Sequence, residues 1–289
     1  MKCGLAFFAL GVLALSGACS ALKIGAFNVQ TFGRTKMSKP DVVEILLQIA
    51  ERYDILLIQE IRDSTFTAIY SFLDQLNARR GNDYSMVLSD RLGRSTYMEQ
   101  YAFLWSTENR TISYARYRND RDLVLAGDYH YEDSEDIFAR EPYIVRFMSG
   151  NTVTDDFVLI PMHAAPSDAV AENNELFTVY QDVVSRWGVQ NVIIMGDLNA
   201  DCSYVGASDW SNIRIWTDNR FEWLIGNEAD TTVKSTHCAY DRLVVAGSQL
   251  QASVVSYSVF DYKSEYRLTQ SEAEDVSDHW PVEMDIAVW

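Results

Sequence analysis

The chain is poor in cysteine and proline and carries far fewer bases than acids. Its 289 residues include 4 cysteines and 5 prolines. Cys3 and Cys19 fall in an N-terminal leader-like stretch, so residues 22–289 keep only Cys202 and Cys238. Two cysteines without CxxC spacing argue against a zinc site. An even pair in an oxidising compartment is instead expected to close one disulfide. No Pro-, Gly- or Ser-rich linker and no short-period repeat divides the chain, which predicts one large domain over 22–289. Lys and Arg number 24 against 41 Asp and Glu, a formal net charge of −17. That balance excludes bulk electrostatic attraction to nucleic acid or to an anionic membrane. Any phosphate-handling role then needs bound cations and a local arginine cluster.

Long apolar runs are also missing: none reaches the ~20 residues that a membrane span requires. The apolar stretch Leu5–Leu15 follows the positive Lys2 and leads into the small residues of Ser16–Ala21. This reads as a secretory signal over 1–21, with Leu22 as the mature N-terminus and a secreted, membrane-free product. The sequon Asn109-Arg110-Thr111 fits a glycosylated secreted chain.

What the sequence does contain is a set of strand-like runs rich in β-branched and aromatic residues: 22–28, 55–59, 84–88, 101–105, 143–147, 157–162, 192–195, 241–246 and 280–288. Apolar residues at helical spacing mark 40–52, 64–79 and 168–187. Several neighbouring strands have no helix between them, so two packed sheets with outer helices are expected in place of a doubly wound parallel sheet. The polar stretch 109–141 has no clear period and reads as a long surface excursion.

The apolar runs stop on residues that bind cations or move protons. LKIGAFN ends on Asn28, DILLIQE on Glu60, DFVLIPMH on His163, and NVIIMGDLN on Asp197 and Asn199; Asp278 and His279 precede the last strand. Strand ends of one sheet share a rim, where ligands collect. Glu60, Asn28, Asp197, Asn199 and Asp278 are hard oxygen donors, suited to Mg²⁺ or Ca²⁺. A lone histidine after a strand is more often a packed or capping residue. Two of the chain's 4 histidines beside several carboxylates point instead to an acid and base pair for phosphodiester hydrolysis. Glu99 and Asp241 are the candidates to orient the imidazoles of His163 and His279.

The runs AFNVQTFG, YDILLIQEIRDS, LGRSTYMEQYAF, AREP, HAAPSDAVAE, GDLNADCSYV, ADTT, CAYDR and SDHWPVE, in this order over 22–289, resemble the deoxyribonuclease I family of secreted endonucleases, part of the endonuclease, exonuclease and phosphatase superfamily. The resemblance implies a four-layer α/β sandwich of two packed, mainly antiparallel sheets flanked by helices. It implies a monomer that cuts double-stranded DNA from the minor groove to 5′-phosphorylated products, with Mg²⁺ or Mn²⁺ and Ca²⁺ as cofactors. Carried over residue by residue, it makes Glu60 and Asn28 one metal site, and Asp197, Asn199 and Asp278 the phosphate and second-metal side. Glu99–His163 and Asp241–His279 become the acid and base pairs.

The same resemblance makes Arg62 and Tyr97 minor-groove residues and Arg94, Arg140 and Tyr204 neighbouring phosphate contacts. Cys202–Cys238 matches the family's structural disulfide. Asp230, Thr232 and Thr236 resemble one structural calcium loop, with Lys234 where a small hydroxyl residue is common. Asp136, Phe138 and Glu141 resemble another. Family members also bind monomeric actin through an exposed strand, here Tyr84–Leu88 with Met86 where an aromatic occurs, so actin stays open as a partner. Two alternatives stand beside the endonuclease reading: another phosphodiesterase of the superfamily, lacking the Arg62 and Tyr97 pair, and a catalytically inactive actin-binding member.

Overall fold

A computed structural model describes residues 21–81, 83–107, 123–150 and 152–288. The predicted leader, apart from Ala21, and Asn109 lie outside the described residues. One sheet contains β1 (Ala21–Phe32), β2 (Ile55–Ile61), β3 (Tyr84–Leu88), β4 (Gln100–Ser106), β11 (Val254–Val259) and β12 (Val282–Ala287) in the order β11-β12-β1-β2-β4-β3. The other contains β5 (Leu123–His130), β6 (Tyr143–Ser149), β7 (Asp156–Pro161), β8 (Val192–Asp197), β9 (Phe221–Trp223) and β10 (Asp241–Ala246) in the order β5-β6-β7-β8-β10-β9. Pairing is antiparallel except between β1 and β2 and between β7 and β8. The helices are α1 (Arg34–Met37), α2 (Pro40–Ala50), α3 (Thr67–Arg80), α4 (Ala169–Trp187), α5 (Arg214–Thr217), α6 (Ser248–Ser253), α7 (Tyr262–Glu265) and α8 (Gln270–Val276).

The central strands are apolar without interruption because both of their faces are buried. Successive side chains point to opposite faces. Ile24 and Ala26 of β1, Leu57 of β2, Leu159 of β7, Ile193 and Met195 of β8 and Leu243 of β10 fill the space between the sheets. Their neighbours Phe27, Val29, Leu56 and Ile58 face a second core under α2 and α3. Val158, Ile160, Val192, Ile194 and Val244 face a third under α4. The result is helices, sheet, sheet, helices, the sandwich expected from the sequence. Its two inner sheets bring the ends of β1, β2, β8 and β10 together.

Three strands were not foreseen. β5 lies inside the stretch 109–141, which is therefore not wholly a surface excursion. It is an edge strand with Val124 exposed, and a register shift between Leu125 and Gly127 breaks its alternation. β11 is also an edge strand, with most of its side chains in solvent, and β9 is three residues long. The final strand starts at Val282, two residues later than expected. α3 starts at Thr67 and not at Ser64. The Asp63 carboxylate accepts hydrogen bonds from the backbone N–H of Thr65 (3.0 Å) and Ala68 (2.8 Å), and Phe66 between them has φ +60°.

Candidate active site

Asn28 ends the regular part of β1, and the β1–β2 register shifts between Asn28 and Phe32. On the other side, the β2–β4 register shifts between Ile58 and Ile61. Glu60 sits in this irregularity with φ +58°, a strained conformation for a non-glycine residue. The bulge turns its carboxylate toward β1. There Oε2 accepts from the Thr31 N–H (2.8 Å) and Oε1 from the Asn28 side-chain amide (3.1 Å). The same Asn28 Nδ2 donates to Asp197 Oδ2 at 3.1 Å, so one amide ties the two acids across the two sheets.

His163 follows β7 and Glu99 precedes β4. Their contact, Nδ1 to Oε2, is 2.7 Å. His279 precedes β12 and Asp241 opens β10, and their contact, Nδ1 to Oδ2, is also 2.7 Å. Both imidazoles thus turn Nε2 toward Asp197, whose Oδ2 is 3.5 Å from His163 Nε2 and 3.7 Å from His279 Nε2. Asp278 Oδ1 lies 3.7 Å from His279 Nε2. Asn199, with φ +46°, donates its backbone N–H to Asp197 Oδ1 (3.0 Å) and its side chain to the Ala164 carbonyl (2.8 Å). The candidate proton-handling and metal-ligating residues are therefore gathered around one carboxylate.

Burial discourages charge on these groups; it still prevails at Asp241, whose carboxyl is pushed up although the His279 charge pulls it down, while at His279, His163 and Glu99 the mutual contacts win. His279 is raised to about 10 because the negative charges of Asp241, Asp197 and Asp278 outweigh desolvation. Desolvation would lower His163, but its bond to Glu99 and that acid's charge outweigh it and raise the imidazole. Burial would raise Glu99; the His163 bond, the His163 charge and Arg140 together hold it below the usual carboxylate range.

Two acids and one imidazole lie close enough to share a cation. Asp197, Asp241 and His279 offer ligand atoms within 4.8 Å of one another. Asp278 Oδ1 is buried with no hydrogen-bond partner among the described residues. An orphaned carboxylate oxygen 3.7 Å from His279 Nε2 fits a divalent cation. In the Asp230 loop, Asp230 Oδ1 accepts from Thr232 N (3.0 Å) and Thr232 Oγ1 (2.8 Å), and Thr236 Oγ1 is 3.1 Å from Thr232 Oγ1. Lys234 reaches Asp278 at 3.5 Å. Asp136 is exposed and paired with Arg94 at 3.2 Å, so a guanidinium already compensates that carboxylate. Phe138 is buried and its N–H donates to Asp133; Glu141 follows Arg140 in the same segment.

Arg62 stacks over the ring of Tyr97, which is 45 % exposed, and this pair stands at the rim beside Glu60 and Glu99. Tyr204 stacks on Tyr240, next to Asp241, at 5.2 Å. Arg140 is turned inward: it grips Glu99 through Nε (3.0 Å) and Nη2 (3.2 Å) and donates from Nη1 to the His163 carbonyl (3.0 Å). Cys202 and Cys238 form a disulfide with 5.9 Å between Cα atoms. The bridge borders Asp201, which holds the Ala239 N–H at 2.7 Å.

Two further residues shape the site: Gln59, which has no role in the sequence reading, and Ser277, which stands in the polar cluster Ser277-Asp278-His279 before the last strand. Gln59 is buried on β2 and crosses to the other sheet. Its Nε2 donates to the Met162 carbonyl (2.7 Å) and its Oε1 accepts from the Asp197 N–H (3.0 Å). Gly196, at φ +120°, makes room for it: a Cβ there would lie 2.7 Å from the Gln59 amide. The polar residue inside the apolar run DILLIQE was the available signal. Ser277 Oγ donates to the Asn28 carbonyl at 2.6 Å and so joins the two metal-ligand candidates Asn28 and Asp278.

Comparison with known proteins places these residues in a family. The model of the Endonuclease/Exonuclease/phosphatase family matches residues 25–279. Deoxyribonuclease-1 of Homo sapiens is 48 % identical over 286 residues, covering 96 % of this chain and 96 % of that protein. Deoxyribonuclease-1 of Rattus norvegicus is 44 % identical over 290 residues, covering 98 % of each. Among solved structures, an endonuclease/exonuclease/phosphatase family protein from Leptotrichia buccalis superposes with a TM-score of 0.62 at 16 % identity. It covers 92 % of this chain and 99 % of its own, a likeness of fold.

Proposed function

The chain belongs to the endonuclease/exonuclease/phosphatase family, and from that premise we propose that it is a secreted, divalent-metal-dependent endonuclease hydrolysing double-stranded DNA to 5′-phosphorylated products. The leader over 1–21 would be removed and the single catalytic domain would span 22–289. One observation carries this reading. Two carboxylate-oriented imidazoles both direct Nε2 at the same Asp197 oxygen, within 3.5 and 3.7 Å of it.

In hydrolysis of a phosphodiester, water must lose a proton as its oxygen bonds to phosphorus. The departing 3′ oxygen must gain a proton as its bond to phosphorus breaks. One imidazole accepts the first proton at Nε2 and the other delivers the second. Glu99 and Asp241, bonded to the Nδ1 atoms, hold the ring orientations and stabilise whichever ring is charged. Divalent cations, one held by Glu60 and Asn28 and a second on the side of Asp197, Asn199 and Asp278, would supply the positive charge that an anionic phosphodiester needs among these acids. Gln59 and Asn28 keep Asp197 in place from the opposite sheet.

Arg62 and Tyr97 stand at the rim, where a planar cation and an aromatic ring can enter the minor groove; Arg94 and Tyr204 would meet adjacent phosphates, and Arg140, turned inward onto Glu99, would have to give up part of that grip to do the same. Such contacts sense groove shape and not base identity. Calcium in the Asp230 loop would brace the backbone near His279; in the Asp136–Glu141 segment, near Arg140, it would have to displace Arg94 from Asp136. The edge strand β3 is open to strand addition, the mode by which a protein partner such as monomeric actin would bind. Among the described residues no helix is long and apolar enough to cross a membrane. Digestion of supercoiled plasmid with and without chelator tests substrate and metal together. Nicking abolished by chelator is expected; no nicking, or nicking indifferent to chelator, contradicts the proposal.

A further inference from the structure

Glu172 ends the run HAAPSDAVAE and lies in the first turn of α4, with 0 % of its surface exposed. Its carboxylate makes two hydrogen bonds to backbone, one to each of two segments that frame the site. Oε1 accepts from the Ala139 N–H at 2.7 Å and Oε2 from the Ala165 N–H at 2.9 Å. Ala139 precedes Arg140, and Ala165 is two residues beyond His163. Arg140 then bridges the same two segments from above, through the His163 carbonyl and Glu99. The 139–140 and 163–165 backbones are thus tied at two levels, by Glu172 beneath and by Arg140 beside the chemistry.

A buried acid is an expensive way to pack a helix against two loops. Burial pushes Glu172 up to about 7, with the two N–H donors and Arg140 pulling it down and Asp168 pushing it further up. An apolar or amide side chain of similar size would avoid that cost if packing were its only task. The distinctive property of an ionised carboxylate here is two acceptor oxygens and no donor, matched to one N–H group from each segment.

We propose that Glu172 is a positioning residue for the His163–Glu99 pair, its two oxygens fixing the separation of the Arg140 and His163 segments and so the place of the His163 ring beside Asp197. This rests on the hydrolytic reading of the site, but its geometric part can be measured without DNA or metal.

Glu172→Gln keeps the shape and replaces one acceptor with an N–H₂ that faces a backbone N–H. In chelator and without DNA, amide exchange at Ala139 and Ala165 should quicken in the variant, while the Leu176–Val183 half of α4 keeps its protection. The melting temperature should stay within about 4 °C of wild type. With metal, kcat for plasmid nicking should fall ~10- to 10²-fold, the penalty of a misplaced catalytic group, with KM within about two-fold. In a His163→Ala background the same substitution should add little further loss, because the ring it positions is gone.

Unchanged exchange at both alanines would overturn the proposal. So would a rise in KM alone, a loss that merely tracks the unfolded fraction, or an undiminished second factor in the His163→Ala background. A wild-type protein that nicks no DNA removes the hydrolytic reading instead, and amide exchange still decides the clamp.

Discussion

Gln59 offers a test of how the two sheets are locked at the site. Gln59→Leu preserves most of the side-chain volume and removes both polar atoms. The Met162 carbonyl then loses a donor at 2.7 Å and the Asp197 N–H loses an acceptor at 3.0 Å. Gln59 and Met162 are completely buried and Asp197 almost so, so bulk water does not replace either partner. A buried backbone group left unsatisfied costs about 1–3 kcal/mol, and two of them about 2–6 kcal/mol. The total stability of a domain is about 5–15 kcal/mol, so the variant should still fold. Urea unfolding should show a lower midpoint at unchanged slope, the signature of lost stability without a change in compactness. Because the Asp197 backbone loses its anchor, nicking by the folded variant should also drop ~10-fold or more. A midpoint equal to wild type, with full activity, would refute the assignment of Gln59 as the bridge between Asp197 and the first sheet.

The remaining tests concern the bridge, the rim and the buried histidine. Replacing Cys202 and Cys238 with serine opens a loop of 36 residues, and unfolding free energy should fall by about 4 kcal/mol on the chain-entropy estimate; an unchanged midpoint rules that out. Arg62→Ala and Arg94→Ala should weaken cleavage at moderate salt, and loss of the Arg94 phosphate contact should flatten the plot of log affinity against log salt by about 0.9. Wild-type behaviour in both variants would mean that DNA lies elsewhere. For His279 the folded pKa, about 10, lies above the ordinary value of 6.5, so its ion pairs stabilise the fold fully below pH 6.5 and less as pH rises toward 10. In chelator, the stability gap between wild type and His279→Asn should therefore narrow across that window, and a constant gap contradicts the pairing.

The site was legible where chemistry-bearing residues interrupt strong periodic patterns. Central strands buried on both faces read as apolar runs, and their polar terminators Asn28, Glu60, His163 and Asp197 stood out against them. Edge strands gave no such contrast: β11 is mostly solvated, and the Leu125–Gly127 register shift hid β5. Gln59 and Glu172 escaped because their importance lies in which backbone groups they meet, Met162 and Asp197 for one, Ala139 and Ala165 for the other. Those partners are more than thirty residues away except for Ala165, seven residues from Glu172. The contact of Arg94 with Asp136, across forty-two residues, was equally invisible to spacing.

The central claim is that His163 and His279 assist opposite sides of one displacement. Its most direct measurement is plasmid nicking by His163→Ala and His279→Ala proteins with wild-type circular dichroism and melting behaviour. Each variant should be slower by at least about 10²-fold, since general acid or base assistance contributes on the order of 10²–10⁴. Near-normal nicking by both folded variants would contradict the account.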